Sequence, residues 1–492
     1  MKLLFQALMA ATALTLLAGA AQAARTDLVV GVVLEPPHLD PTAGEAAAID
    51  EVLYANVFEG LTRIGSGGEV LPALAQKWDI SEDGKVYTFH LHTGVKFHDG
   101  TDFDAGDVKF SLDRARDEKS TNAQKGLFAQ IDSVEVVDPA TVKVTLKQPQ
   151  GSFLYNMGWG DAVIVAPESA EGNKEKPVGT GPFRFENWAR GSSITIVRNP
   201  DYWGEPVALE KAEFRIVPDA AAAVPALLSG DVQAFPMFPA DAVDQVRDDP
   251  RFEVVIGATE GETLLSINNK KAPFDNLKVR QAISHALNRE EIIQGASNGL
   301  GTPIGSHFSP GNAAYVDLTG TYPYDPEKAK ALLAEAGFPN GFEATLKLPP
   351  TPYARQGGEI IASQLRQVGI NLRIIPVEWS DWLDGVFKQK DFDLTIISHT
   401  EPNDIDIYSR PGYYFQYENP EFNKLIEELD VTSDDAKRGE LYRQAQEILA
   451  RDAVNGFLFE LPKVGVWDKN LQGMWHNAPI QANDLTAVRW AD

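Results

Sequence analysis

The chain is expected to be an α/β protein of two or three lobes, and three observations predict this. Its 492 residues exceed one typical domain. Short runs with alternating apolar residues fill the first half, the period of half-buried strands. From about residue 275 the texture changes to helices alternating with strands, the order of an α/β lobe. With 43% hydrophobic and 23% charged residues, the composition is that of an ordinary globular protein.

Lys plus Arg number 44 against 70 Asp plus Glu, a formal net charge of −26. A nucleic-acid binder needs a basic footprint to displace phosphate counterions, so that class is excluded. Met1-Lys2 is a short basic start, residues 3–19 are largely apolar, and Ala21-Gln22-Ala23 places small residues where a signal peptidase reads. The N-terminus therefore reads as a secretory signal peptide over residues 1–23, cleaved before Ala24. Its apolar run is short for a membrane anchor. The chain contains no cysteine. It cannot carry the processed N-terminal cysteine of a lipoprotein, a thiol nucleophile or a thiolate metal site. A free periplasmic protein is expected.

Leu28-Val29-Val30-Gly31-Val32-Val33 reads as a buried strand ended by Glu35-Pro36-Pro37. Residues 49–58 read as a helix with Ile49, Val52, Leu53 and Val57 on one face. Alternation at Tyr87, Phe89 and Leu91, at Val142, Val144 and Leu146, at Ile194 and Ile196, and at Phe214 and Ile216 predicts strands. Asp325-Pro326 is a cap followed by proline at the first helical position, with Gly337 as the stop. A second helix is expected over 360–368 and a third over 433–451, opened by Ser433 or Asp434. Leu372 to Ile375 and Leu394 to Ile397 read as strands.

Motif tests are mostly negative: there is no Walker A loop, dinucleotide fingerprint or His-Glu-x-x-His helix. Gly295-Ala296-Ser297-Asn298-Gly299 matches nucleophile-elbow spacing, but the elbow needs a strand before its serine and residues 288–294 read as a helix turn. An exported serine hydrolase would rest on this match alone. His90 and His92 share one strand face and would need a third ligand to hold a metal; a solvated face is the simpler reading.

The stretch 70–114, VLPALAQKWDISEDGKVYTFHLHTGVKFHDGTDFDAGDVKFSLDR, is distinctive. Leu39-Asp40-Pro41, Phe58-Glu59-Gly60-Leu61, Gly179-Thr180-Gly181-Pro182-Phe183, Asn199-Pro200-Asp201-Tyr202-Trp203, Lys278-Val279-Arg280-Gln281-Ala282 and Tyr324-Asp325-Pro326 accompany it. Together they resemble the family 5 extracellular solute-binding proteins of ABC transporters, the dipeptide, oligopeptide and nickel group. Each string also has a structural reading. Gly100 suits a tight turn, residues 103–112 a capped helix start, Gly179-Thr180-Gly181-Pro182 a sharp reversal between lobes, and Tyr202-Trp203 the sealing of a lobe.

The resemblance implies a periplasmic-binding-protein-like fold of the cluster C type, two hinged lobes plus an inserted subdomain. Lobe I is expected at 24–70, 178–270 and 471–492, the inserted subdomain at 71–177 and lobe II at 271–470. The solute would lie between the lobes. In dipeptide-type relatives an aspartate after a lobe II strand holds the ligand's amino terminus, which implies Asp404 first and Asp406 second, with His399 opening the same loop. An arginine ahead of QGGEIIASQLRQVGI holds the carboxylate, which implies Arg355. Trp379, Trp382, Tyr413 and Tyr414 are expected as pocket aromatics, and Glu35 as a contact to a peptide backbone.

The implied function is capture of a peptide or amino-acid-like solute and its delivery unaltered to the permease subunits of an inner-membrane ABC importer, by a monomer with no cofactor, no metal and no catalytic residue. An opine, a sugar conjugate or a metal chelate in the same fold is the alternative.

Overall fold

A computed structural model describes residues 25–44, 46–401 and 403–491. The expected signal peptide lies outside the described residues. Two mixed sheets organise the rest. The first runs in the order Phe252–Gly257, Lys463–Asp468, Ala234–Phe235, Asp27–Val32, Lys211–Ile216, Ser193–Arg198, Phe183–Ala189. Asp27–Val32 lies parallel to Lys211–Ile216, pairing Leu28 with Ala212 and Val30 with Phe214. These side chains are buried with Phe58 and Trp467, which makes this sheet the centre of the first lobe's core.

The second sheet runs Thr302–Pro303, Gly456–Glu460, Glu262–Ile267, Leu394–His399, Phe342–Leu348, Ile370–Pro376. Phe342–Leu348 is parallel to the strands on both sides. Helix Pro352–Gln367 connects it to Ile370–Pro376, and Ile361 and Leu365 on this helix join the lobe core. The helix begins eight residues earlier than expected. Gly357 and Gly358 look like breakers in sequence, but both are buried in its inward face, where a Cβ on Gly358 would overlap Leu348. Helix Asp435–Arg451 starts behind Asp434, whose carboxylate accepts from the Lys437 amide, so Asp434 is the cap. The helix expected over 49–58 is shorter, Ala47–Leu53.

A third sheet of four antiparallel strands, Ala75–Ile80, Val86–Leu91, Thr141–Leu146 and Ile131–Asp138, forms the inserted subdomain around Tyr87, Phe89, Val144 and Phe153. Its helix Ala105–Arg116 is closed by a capping box between Asp104 and Asp107.

Strand pairing moves two expected boundaries. Glu262–Ile267 is central in the second sheet and Lys463–Asp468 belongs to the first. The chain therefore crosses at 258–261 and 461–462, not at 270 and 470. The two crossings lie side by side: the Leu461 amide donates to the Gly261 carbonyl at 2.7 Å and the Thr259 hydroxyl to the Leu461 carbonyl at 2.6 Å. The pattern hid this because Glu262–Ile267 is buried throughout and shows no alternation.

The Gly179-Thr180-Gly181 segment, expected as a sharp reversal between lobes, lies against the backbone of residues 56–57, where the Gly181 amide donates to the Val57 carbonyl at 3.0 Å. A Cβ at Gly179 or Gly181 would overlap the carbonyls of Val57 or Asn56, so glycine is required by a close backbone approach. Glu59 lies buried beneath it. Its carboxylate accepts from the Thr180 hydroxyl at 2.7 Å, the Tyr202 hydroxyl at 2.9 Å and the Trp203 indole at 2.9 Å.

The subdomain also meets lobe II, where the Gly151 amide donates to the Asp430 carbonyl at 3.0 Å. A Cβ on Gly151 would overlap the Thr432 carbonyl and the Arg438 guanidinium. Gly151→Ala is therefore expected to push lobe II away from the subdomain. Small-angle scattering should give a larger radius of gyration for the variant, with its melting temperature little changed; an unchanged profile would remove this contact as a closing point.

Candidate functional site

The space between the lobes holds two adjoining cavities. The first has a volume of about 640 Å³ and is bounded by the loop after Leu394–His399 on one side and by Gln124, Tyr155 and Trp159 of the subdomain on the other. The second, about 610 Å³, lies against helix Ala47–Leu53 and the crossings. Gln124, Trp159, Thr400 and Glu401 line both, so the two share a wall.

Asp404 is the focus of the first cavity and is buried in its wall. Oδ1 accepts from His307 Nε2 at 2.7 Å, while Oδ2 faces His399 Nδ1 at 3.8 Å, beyond hydrogen-bond reach. Burial works against its charge, but His307 and His399 outweigh that and hold the carboxyl below the usual range. His307 Nδ1 meets the Tyr408 hydroxyl at 3.2 Å, which fixes the ring. His399 Nε2 meets the Tyr414 hydroxyl at 3.1 Å, and burial pushes this imidazole down to about 4, so it is neutral at pH 7.

Of the expected site residues, Asp404, Asp406, His399, Trp382, Tyr413 and Tyr414 all line this cavity. Asp406 spends its carboxylate on Arg410, at 2.8 and 3.1 Å. Trp382 is fixed by its indole N–H to the Thr395 hydroxyl and stands edge-on to Tyr414. The other three lie elsewhere. Arg355 donates to the carbonyls of Pro349 and Val377, both at 2.9 Å, and lines neither cavity. Trp379 is 41% exposed and packs edge-on to Trp382 outside the cavity. Glu35 accepts from the Trp188 indole and the Gly191 amide, pinning the hairpin of Phe183–Ala189 and Ser193–Arg198.

Sequence reasoning missed His307, Glu262 and Arg410. Arg410 follows Asp406 by four residues and was open to view. His307 and Glu262 are distant in sequence and meet Asp404 only through the sheet, where Glu262 pairs directly with His399. Burial, then Asp404 and Glu260, push the Glu262 carboxyl well above its ordinary value, and its Oε2 has no hydrogen-bond partner.

The residues singled out for other chemistry are placed as well. Ser297 ends helix Arg289–Ser297 and its hydroxyl donates to the Ile293 carbonyl, so no strand precedes it as a nucleophile elbow requires. His90 meets Asp79 at 2.7 Å, and His92 packs on Trp203.

Two sheets joined by a paired crossing, with a polar and aromatic cleft between them, define a two-lobe solute receptor. The profile of "Bacterial extracellular solute-binding proteins, family 5 Middle" matches residues 69–419, and the chain belongs to that family. It is 33% identical over 440 residues to heme-binding protein A of Haemophilus influenzae, covering 81% of this chain and 80% of that one. It is 33% identical over 424 residues to the dipeptide-binding protein of Escherichia coli, covering 77% and 79%. The periplasmic binding protein DppA of Helicobacter pylori, solved with the peptide STSA, superposes with a TM-score of 0.78 at 29% identity, covering 95% of this chain and 99% of that one. The chain is thus a solute-binding protein of the ABC importer type, in a family of binding proteins. Among the described residues no helix is long and apolar enough to cross a membrane.

The acids behind the cleft give a test of its electrostatics. Burial raises Glu460 and Asp161 to about 7, and raises Glu262 and Asp50 well above their ordinary values. In the unfolded chain these groups titrate near 4. From about pH 4 to 7 the folded chain therefore holds more protons than the unfolded one, and stability falls as pH rises, by about 1.4 kcal/mol per pH unit for each group titrating alone. Buried His399 acts in the opposite sense below its unfolded value of about 6.5. Solute-free protein should melt at a higher temperature at pH 6.5 than at pH 8. Glu460→Gln should flatten that slope; a slope that Glu460→Gln leaves unchanged would contradict the burial argument.

Proposed function

We propose that this protein is the periplasmic receptor of an ABC importer for a peptide or amino-acid-like solute, whose α-ammonium is held by Asp404. The single observation that carries the reading is a buried carboxylate in the cavity wall, fixed through one oxygen by His307 and with the other oxygen turned to His399 beyond bonding distance. An ammonium carried into a closed cleft loses its water and needs such an acceptor. A charge-assisted hydrogen bond of this kind contributes about 1.5–3 kcal/mol. Tyr413 supplies an apolar face with a polar tip to the body of the solute, and Tyr414 backs it from the lobe core. Closure about the paired crossings would favour the solute-bound form through its differential affinity for the closed state.

The remaining parts follow the same reading. Residues 1–23 direct export and are removed, the chain stays free in the periplasm for want of a lipidated cysteine, and it works as a monomer that hands its solute to the permease without chemical change. Isothermal titration with di- and tripeptides tests this, with mass spectrometry of the solute that co-purifies. Free-amine peptides should bind, N-acetylated ones should bind at least about tenfold more weakly, and Asp404→Asn should erase that difference. Binding of opines, sugar conjugates or metal chelates with no peptide binding would replace the peptide reading by the alternative; a solute returned altered would replace the receptor reading itself.

A further inference from the structure

The second cavity has a chemistry of its own. Its walls are largely apolar: Met237 and Phe238 come from lobe I, Tyr353 from the first turn of helix Pro352–Gln367, and Ile480 from the C-terminal segment. Among the described residues four acidic residues line it from both lobes, Glu260 buried, Asp50 and Glu51 half-buried and Glu401 exposed. Asp50 and Glu51 stand on helix Ala47–Leu53, Glu260 on the crossing and Glu401 on the lobe II loop. These acids lack cationic partners among the described residues. Asp50 Oδ1 is buried without a hydrogen-bond partner. Glu260 is buried and its carboxylate accepts from the Asn312 amide. Among the described residues Lys463 is the one basic side chain lining the cavity, and its ammonium already donates to the carbonyls of Trp475 at 2.6 Å and Asn477 at 3.2 Å.

Carboxylates withdrawn from water without a counter-charge are costly, and the cost is relieved by a cation brought among them. Burial raises Asp50, Glu51 and Glu260 above the usual carboxylate range, which agrees with that missing charge. A neutral alkyl chain would match the walls and leave the acids unmet. An anionic chain would add to the repulsion.

We propose that this cavity is a subsite for a long-stemmed cation, an alkyl chain ending in an ammonium or guanidinium, which packs its stem on the apolar walls and its charge against Asp50 and Glu51. A lysine or arginine side chain of a peptide and a free alkyl diamine share this chemistry. The inference deepens the peptide reading and rests on it for the first source only. Because Thr400 and Glu401 border both cavities, one solute would place its α-ammonium on Asp404 and its basic side chain here.

Titration calorimetry of the full mature chain with Ala-Lys, Ala-Arg, Ala-norleucine and Ala-Glu, and with cadaverine and agmatine, tests the proposal. Ala-Lys and Ala-Arg should bind at least about tenfold more tightly than Ala-norleucine, and Ala-Glu most weakly. In Glu51→Gln the ratio of Ala-Lys to Ala-norleucine affinity should collapse to within about threefold of one. Asp50→Asn is the second variant should the first fail to fold. Equal affinity for Ala-Lys and Ala-norleucine in the parent chain, or a ratio that survives in both variants, overturns the subsite and leaves the peptide reading standing. Cadaverine or agmatine binding that is lost in Glu51→Gln, with no peptide bound, upholds the subsite and overturns the peptide reading. No binding of any of these overturns both.

Discussion

The architecture depends on one antiparallel pair of strands that continues from one sheet into the other. Phe252–Gly257 pairs with Lys463–Asp468 in the first lobe, and Glu262–Ile267 pairs with Gly456–Glu460 in the second. Between them the Leu461 amide meets the Gly261 carbonyl, and the Thr259 amide meets the Glu460 carboxylate at 2.8 Å. Both crossings are thus tied to each other at the boundary. A cleft must open where the sheets part company. Its floor is the crossing itself, which is why Glu260 and Lys463, each within a few residues of a crossing, line the same cavity.

Glu59 plays a comparable part for the inserted subdomain. Three donors from two distant segments satisfy one buried carboxylate: its two oxygens take the Thr180 hydroxyl, the Tyr202 hydroxyl and the Trp203 indole, and the charge of Arg63, four residues on, also acts on it. Burial still raises its carboxyl above the ordinary value. Removing the acid would strand its donors, and removing a donor would leave a buried charge less satisfied. Trp203 also joins the subdomain core as a half-buried neighbour, so one side chain serves the junction and the packing together.

This junction explains what was legible in the sequence. The strings around Glu59, Gly179 to Phe183 and Asn199 to Trp203 are contiguous and specific because their residues answer one another across a fixed joint. They identify the scaffold for that reason, and their physical roles still differ from the local reading, since Gly179 and Gly181 serve a close approach where a reversal was expected. The Asp404 loop was legible because it follows a strand that ends at the cleft. Arg355 looked equally well placed, but its helix turns the guanidinium onto the carbonyls at 349 and 377, an orientation that spacing alone does not encode. His307 and Glu262 were illegible because each meets Asp404 only through sheet pairing and a loop return, and neither belongs to a local pattern.

The placement of charge in lobe II follows from the same pairing. Glu262 faces His399 on one neighbouring strand and Glu460 on the other, so three titratable residues lie abreast at the end of the sheet that meets the cleft. All three are buried, as are Asp404 and His307 beside them. A folded chain gains nothing from an acid such as Glu262 whose oxygen finds no donor. Apolar residues of similar size in that row would pack without the desolvation cost. The unsatisfied carboxyl in this row is therefore a cost to the fold. Apolar clusters offset that cost around Phe214 and Trp467 in one lobe and Leu265 and Leu346 in the other, and a further cluster with Leu264, Ile397 and Tyr414 packs beside the cleft residues themselves.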